Sequence, residues 1–97
     1  MSDLEILRRQ VAVGGVARNT SGVLSGNVVE ARRKDTDALV GECRSRSDGS
    51  FYFLDLPDSE YTISALSVGK AASKDAVVKR DAKGTLRMVF LHLQIAD

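Results

Sequence analysis

One histidine and one cysteine, His92 and Cys43, carry most of the reactive potential of this sequence. Neither has the company that chemistry requires. His92 lies between Leu91 and Leu93 in an alternating apolar run, so its ring points away from theirs. A metal site needs further donors, and a lone imidazole does not make one. A Ser-His-Asp relay is compatible with the abundant Ser and Asp, but no Gly-x-Ser-x-Gly elbow is present to present a nucleophile. Cys43 reads as a small buried thiol in a strand. Alone it forms neither an internal disulfide nor a zinc site. An intermolecular disulfide or a reactive thiol would need an oxidising compartment or a nearby base, and the sequence shows neither. Asp35, Asp37, Asp55, Asp58 and Glu60 are spread out without EF-hand spacing, and read as solvated loop acids rather than calcium ligands. No cofactor is implied, and the sequence points away from an enzyme.

Charge adds little. Fourteen Lys and Arg against thirteen Asp and Glu leave a net charge of +1, too small a field to draw nucleic acid or an anionic membrane. Arg32, Arg33 and Lys34 with Arg44 and Arg46 form a basic stripe, but no aromatics interleave with it. A solvated outer sheet face accounts for it, and no nucleic-acid partner is expected. Residues Met1 to Gln10 place acids before a short apolar stretch, unlike a signal peptide. No run approaches the ~20 apolar residues that span a bilayer, so no membrane insertion is expected. The expected location is the cytoplasm, or outside the cell as part of a larger assembly.

The elements that would position these residues read as strands. A chain of 97 residues is one domain by length, with a thin core. Aromatics are 5% with no Trp, so aliphatic residues must fill most of that core. Short apolar runs recur at intervals of ~8–12 residues between Gly, Asp, Asn and Ser, the spacing of a sandwich or barrel. Strands are predicted over Val11–Ala17, Asn27–Arg32, Leu39–Ser47, Ser50–Leu54, Tyr61–Ala65, a weaker Asp75–Arg80, and Thr85–Ile95. Val29 and Ala31 should face one side and Glu30 and Arg32 the other. Phe51 and Phe53 share a face opposite Tyr52 and Leu54, and Tyr61, Ile63 and Ala65 point inward. Asp48-Gly49 suits a primed hairpin turn and should set the register of both Phe residues.

The last strand has two apolar phases: Leu86, Met88 and Phe90 on one, and Val89, Leu91, Leu93 and Ile95 on the other. Simple alternation has only one apolar face. Either a bulge near Met88–Phe90 switches sides, or both faces are covered, one of them by another subunit. Residues 1–10 form an arm or a short helix, since Ser2 and Glu5 have capping-box spacing. Residues 11–97 form the sandwich. The candidate interface is Val89, Leu91, Leu93 and Ile95, with Leu4, Ile6 and Leu7 of the arm.

Gly15, Val16, Gly22, Gly26 and Val29 follow the opening pattern of the carboxypeptidase regulatory-like domain family. Asp48, Gly49, Phe51, Phe53, Leu56, Pro57, Tyr61 and Ile63 follow its middle signature in order, and Leu91 and Leu93 its tail. Over about residues 11–95 the chain resembles this family. The resemblance implies an all-β, seven-stranded Greek-key sandwich of transthyretin-like fold. Asn27, Arg46, Lys70 and the pair Ser59-Glu60 depart from the pattern, in its turns and loops.

The resemblance also implies a role. Domains of this kind add stability, spacing or binding to a larger system, so the expectation is a non-enzymatic structural or protein-interaction module. Its partner is another protein or a second copy, as in a tail-like or secretion-type machine. The alternative is a domain that binds a carbohydrate or small ligand, although Tyr52 is the one aromatic expected to face outward. Hydroxyisourate hydrolases resemble this fold, but carry several His, an Arg and a terminal Tyr-Arg-Gly-Ser; this chain has His92 alone and closes on Ile95, Ala96 and Asp97. Self-forming isopeptide sandwiches resemble it too, with a Lys in the first strand and an Asn or Asp in the last. Val11–Ala17 has no Lys, and Thr85–Ile95 has only Gln94.

Overall fold

The computed structural model describes residues 10–96. Alternation does its work first. Eight strands run β1 Val11–Asn19, β2 Gly22–Val23, β3 Val28–Arg33, β4 Leu39–Arg44, β5 Ser50–Leu54, β6 Ser59–Ser67, β7 Lys70–Val78 and β8 Val89–Gln94. With the two-residue β2 set aside, seven principal strands remain, as the sequence predicts.

The strands form two sheets. In the front sheet β1 is central. It pairs antiparallel with β5 along Val11–Val16 and parallel with β8 along Val13–Arg18, so these two occupy opposite edges. β2 extends the β5 side by pairing with Arg18 and Asn19. The back sheet is antiparallel in the order β4-β3-β6-β7. After β4 and β5 the chain returns to place β6 beside β3, a Greek-key connection.

The core lies between the sheets and follows the period of two. Val13 and Ala17 from β1, Val29 and Ala31 from β3, Phe51 and Phe53 from β5, and Tyr61, Ile63 and Ala65 from β6 are all buried. β8 adds Leu91 and Leu93, followed by Ile95. Burying each large side chain contributes about 1.5–3 kcal/mol. Phe51 and Phe53 meet edge to face at 6.2 Å, a geometry favoured by the ring quadrupoles. The Tyr61 hydroxyl donates to the carbonyl of Pro57, tying the start of β6 to the loop before it. This is the device of a tyrosine corner, which lets an aromatic ring be buried with its polar end satisfied.

Asp48-Gly49 is the turn that the sequence predicts, but it does not close a hairpin within one sheet. β4 belongs to the back sheet and β5 to the front, so the turn carries the chain across the sandwich. Its geometry is local. Gly49 donates its N–H to Arg46, and Asp48 accepts from both the backbone and the hydroxyl of Ser50. Gly49 has φ +82°, and a Cβ there would lie 2.9 Å from the Ala17 carbonyl oxygen. The register of Phe51 and Phe53 is therefore set by β1, not by β4.

Other boundaries shift where tertiary contacts extend or end a pattern. β4 stops at Arg44, because Ser45 turns its hydroxyl inward to accept the Asn27 N–H at 3.0 Å. β6 starts at Ser59 and β7 at Lys70, since the tight turn at Val68-Gly69 lets the two strands pair along their whole length. Residues 85–88 precede β8 in a loop held by side chains. Asp81 accepts from the Lys83 and Thr85 N–H groups, and Gln10 accepts from Leu86. Among the described residues no helix is long and apolar enough to cross a membrane.

Candidate functional site

The two apolar phases of the last strand resolve into an inside and an outside. Leu91, Leu93 and Ile95 are buried in the core, and Val89 packs against it. The interface expected on these four residues is thus corrected: they are spent on the sandwich itself. Leu4, Ile6 and Leu7 lie outside the described residues. Of the opposite phase, Leu86 packs against the core and the other two residues face out. Phe90 is 48% exposed and Met88 44%, so no bulge returns them to the core.

These two side chains do not stand alone. Register places Tyr52, Gly14 and Phe90 in one row across β5, β1 and β8. Tyr52 and Leu54 face outward with them, at 43% and 39% exposure. Gly14 lies between. A Cβ there would sit 3.1 Å from the Met88 sulfur and 3.3 Å from the Tyr52 ring, so both lean over the glycine. His92 follows on the same face, with its ring edge to face against Phe90 at 5.2 Å. The front sheet therefore carries an apolar band, Tyr52–Met88–Phe90, where an exposed sheet face is ordinarily polar. Of its aromatics the sequence points only Tyr52 outward; it sets Met88 and Phe90 on a common phase and the expected interface on the other.

The charged residues converge elsewhere. Lys34 donates to Asp75 at 2.7 Å, with Glu60 3.8 Å away, and a cavity of about 330 Å³ beside them is lined by Lys34, Asp35, Ser59 and Glu60. This brings a lysine to an aspartate with a second carboxylate near, the residue types of an isopeptide site, from the turn after β3 and from β6 and β7, which sequence spacing did not connect. Amide formation needs a neutral amine and an uncharged carboxyl. Here the bond to Asp75 pushes the Lys34 ammonium up, and Lys34 holds the Asp75 carboxyl down, so both stay charged. The group is a solvated ion pair. Three further members of the basic stripe are also engaged. Arg32 meets Glu30 at 3.5 Å, Arg33 meets Asp35 at 3.1 Å, and Arg44 donates to the Gly26 carbonyl.

Cys43 is half-buried between β4 and β5. Burial pushes its thiol up, against a hydrogen bond with the Tyr52 backbone. A thiol held protonated is a poor nucleophile. Among the described residues no three of His, Cys, Asp and Glu gather as a metal site would require.

No protein-family model matches the chain, and no curated protein sequence does. Solved structures do. The major pilin subunit BcpA of Bacillus cereus superposes with a TM-score of 0.67 at 17% identity, covering 91% of this chain. A point variant of that pilin gives 0.68. The chain spans 29% of the pilin's length. The 5-hydroxyisourate hydrolase of Klebsiella pneumoniae superposes with a TM-score of 0.64 at 17% identity, covering 90% of both chains. The last of these corrects the expectation that the domain is not an enzyme, because a protein named for catalysis has this architecture over nearly its whole length. Together the neighbours show that residues 10–96 form a β-sandwich of the transthyretin-like kind.

Proposed function

We propose that the domain is a structural, protein-interaction module of a larger or self-associating assembly. The observation that carries this reading is the apolar band of Tyr52, Met88 and Phe90 on the outer face of the front sheet. Burying such a face against protein gains the hydrophobic free energy that the fold leaves unused. The likeness to a major pilin subunit supports an assembly role. The motif run from Asp48 to Ile63 supports a module of the carboxypeptidase regulatory-like kind. The partner is another protein or a second copy, inside the cell or in an exported assembly.

The test is a Phe90→Lys, Tyr52→Lys variant, compared with the unchanged chain for solution mass and for capture of partners from the source cell. A folded variant that loses its associates supports the reading. Unchanged association of a folded variant overturns this face as the contact. A second reading, carbohydrate binding, is favoured by two exposed aromatic rings in one row across the sheet. Retardation of the chain in gels containing an oligosaccharide, lost in the same variant, would select it.

A further inference from the structure

The two edges of the back sheet are built differently. β7 carries Lys74 opposite Ile63, a fully buried residue, so a charge occupies the inward phase of that edge. An inward-pointing charge is a device that keeps a sheet edge from pairing. β4 has neither lysine nor proline; its bulge, at Val40 beside exposed Leu39, lies at its start and leaves Gly41–Arg44 in regular register.

The backbone of β4 is also presented outward. Ser45 donates its N–H to Asn27 and accepts from Gly26, both on the β3 side. Antiparallel alternation then points the N–H and C=O groups of Glu42 and Arg44 away from β3. Their side chains share the outer face, because Glu42 pairs with Glu30 and Arg44 with Val28.

Charge selects what such an edge accepts. If two copies of β4 met about a two-fold axis at Glu42, like charges would face each other, and the same holds at Arg44. Like charges directly opposite destabilise a strand pair, and opposite charges stabilise it. With Cys43 on the axis, Glu42 faces Arg44 across the junction, and symmetry repeats the pair. We propose that β4 pairs antiparallel with β4 of a second copy in this register, joining two back sheets into one. The inference rests on the reading of the domain as a self-associating module, and names the edge it uses. The apolar band on the front sheet stays free for a further contact.

The experiment is light scattering at high protein concentration on the full chain, on Glu42→Arg, on Arg44→Glu, and on an equimolar mixture of the two variants. The unchanged chain is expected at twice the mass of one chain. Each single variant sets like charges together at both pairs and is expected at half that mass. Mixing the variants sets opposite charges together again, and the doubled mass should return. Circular dichroism melts check folding, and the double variant Glu42→Arg, Arg44→Glu should dimerise like the original. A single-chain mass for the unchanged protein overturns the proposal, as does a dimer indifferent to either substitution, or a mixture that stays monomeric. An assembly dispersed by Phe90→Lys but not by Glu42→Arg overturns the edge pairing and leaves the proposed function standing.

Discussion

The outer faces of the two sheets differ in a way that the fold does not require. On the back sheet, Ser64 and Ser73 share a hydrogen bond at 2.7 Å, Thr62 bonds Asp75, and Arg32 meets Glu30. The middle of that surface is held by polar pairs, the two that cross between β6 and β7 each contributing a few tenths of a kcal/mol up to about 1 kcal/mol. On the front sheet the same positions hold Tyr52, Leu54, Gly14 and Phe90. The pleat dictates only that alternate residues face in. What faces out is left free by the pleat, and the middle of the front sheet is apolar where that of the back sheet is polar.

The comparison breaks most sharply at two phenylalanines of the front sheet. Phe51 is buried and Phe90 is half-exposed. Phe51→Ala should cost about 3–5 kcal/mol in urea unfolding, while Phe90→Ala should stay within about 0.5 kcal/mol. Similar costs at both would mean that Phe90 belongs to the core and that the front face is not free.

Next come the neighbouring glycines of β1, which point to opposite faces. A Cβ on Gly15 would lie 2.3 Å from the Leu91 carbonyl oxygen and 2.6 Å from the Phe51 ring. Gly15→Ala should lower stability by about 1–3 kcal/mol through overpacking. At Gly14 the obstacles are the Met88 thioether and the Tyr52 ring, which can move outward. Gly14→Ala should cost about 0.5 kcal/mol or less. Equal losses in thermal melts would show that the outer band is as rigid as the core.

Smaller again is Tyr61→Phe, which keeps the ring and removes the hydroxyl bonded to Pro57. A loss of about 1 kcal/mol is expected from denaturant titration. No loss would mean that the corner is held by packing alone.

The finest effect sharpens the polar side. Lys34 holds the Asp75 carboxyl below its ordinary value. A carboxyl depressed in the folded state contributes stability above its unfolded pKa of about 3.9, and that contribution disappears as pH falls through the folded value. Carbon-detected titration should place the Asp75 midpoint below about 3.9. In Asp75→Asn, the low-pH decline in melting temperature should become shallower. A normal midpoint would show that the ion pair does not persist in solution.

Much of the interior was legible beforehand. Val29, Ala31, Phe51, Phe53, Tyr61, Ile63 and Ala65 all face in as their alternation predicts. Tyr52 and Leu54 face out with equal regularity. His92 points away from Leu91 and Leu93, into the exposed row beside Phe90. Less was legible of the candidate site. The interface was expected on Val89, Leu91, Leu93 and Ile95 with Leu4, Ile6 and Leu7 of the arm, because two apolar phases in one strand leave the inward one undetermined. Phe90 faces out against expectation, since Tyr52 alone among the aromatics is expected outward from the sequence. The meeting of Lys34, Glu60 and Asp75 had no local signal, since it needs β3, β6 and β7 side by side.

The sequence by itself determined the strands, their turns and most of the inward phases. These are local matters: a strand's side chains alternate with period two, and Gly49 holds a backbone angle that other residues resist. The tertiary structure decided which sheet each strand joined, and with it the role of every ambiguous residue. Asp48-Gly49 reads the same whether it closes a hairpin or crosses a sandwich. The hydrogen bonds that choose between the two lie on β1 and β3, far along the chain. Partner choice is settled by the long-range burial of whole faces, which no local pattern encodes.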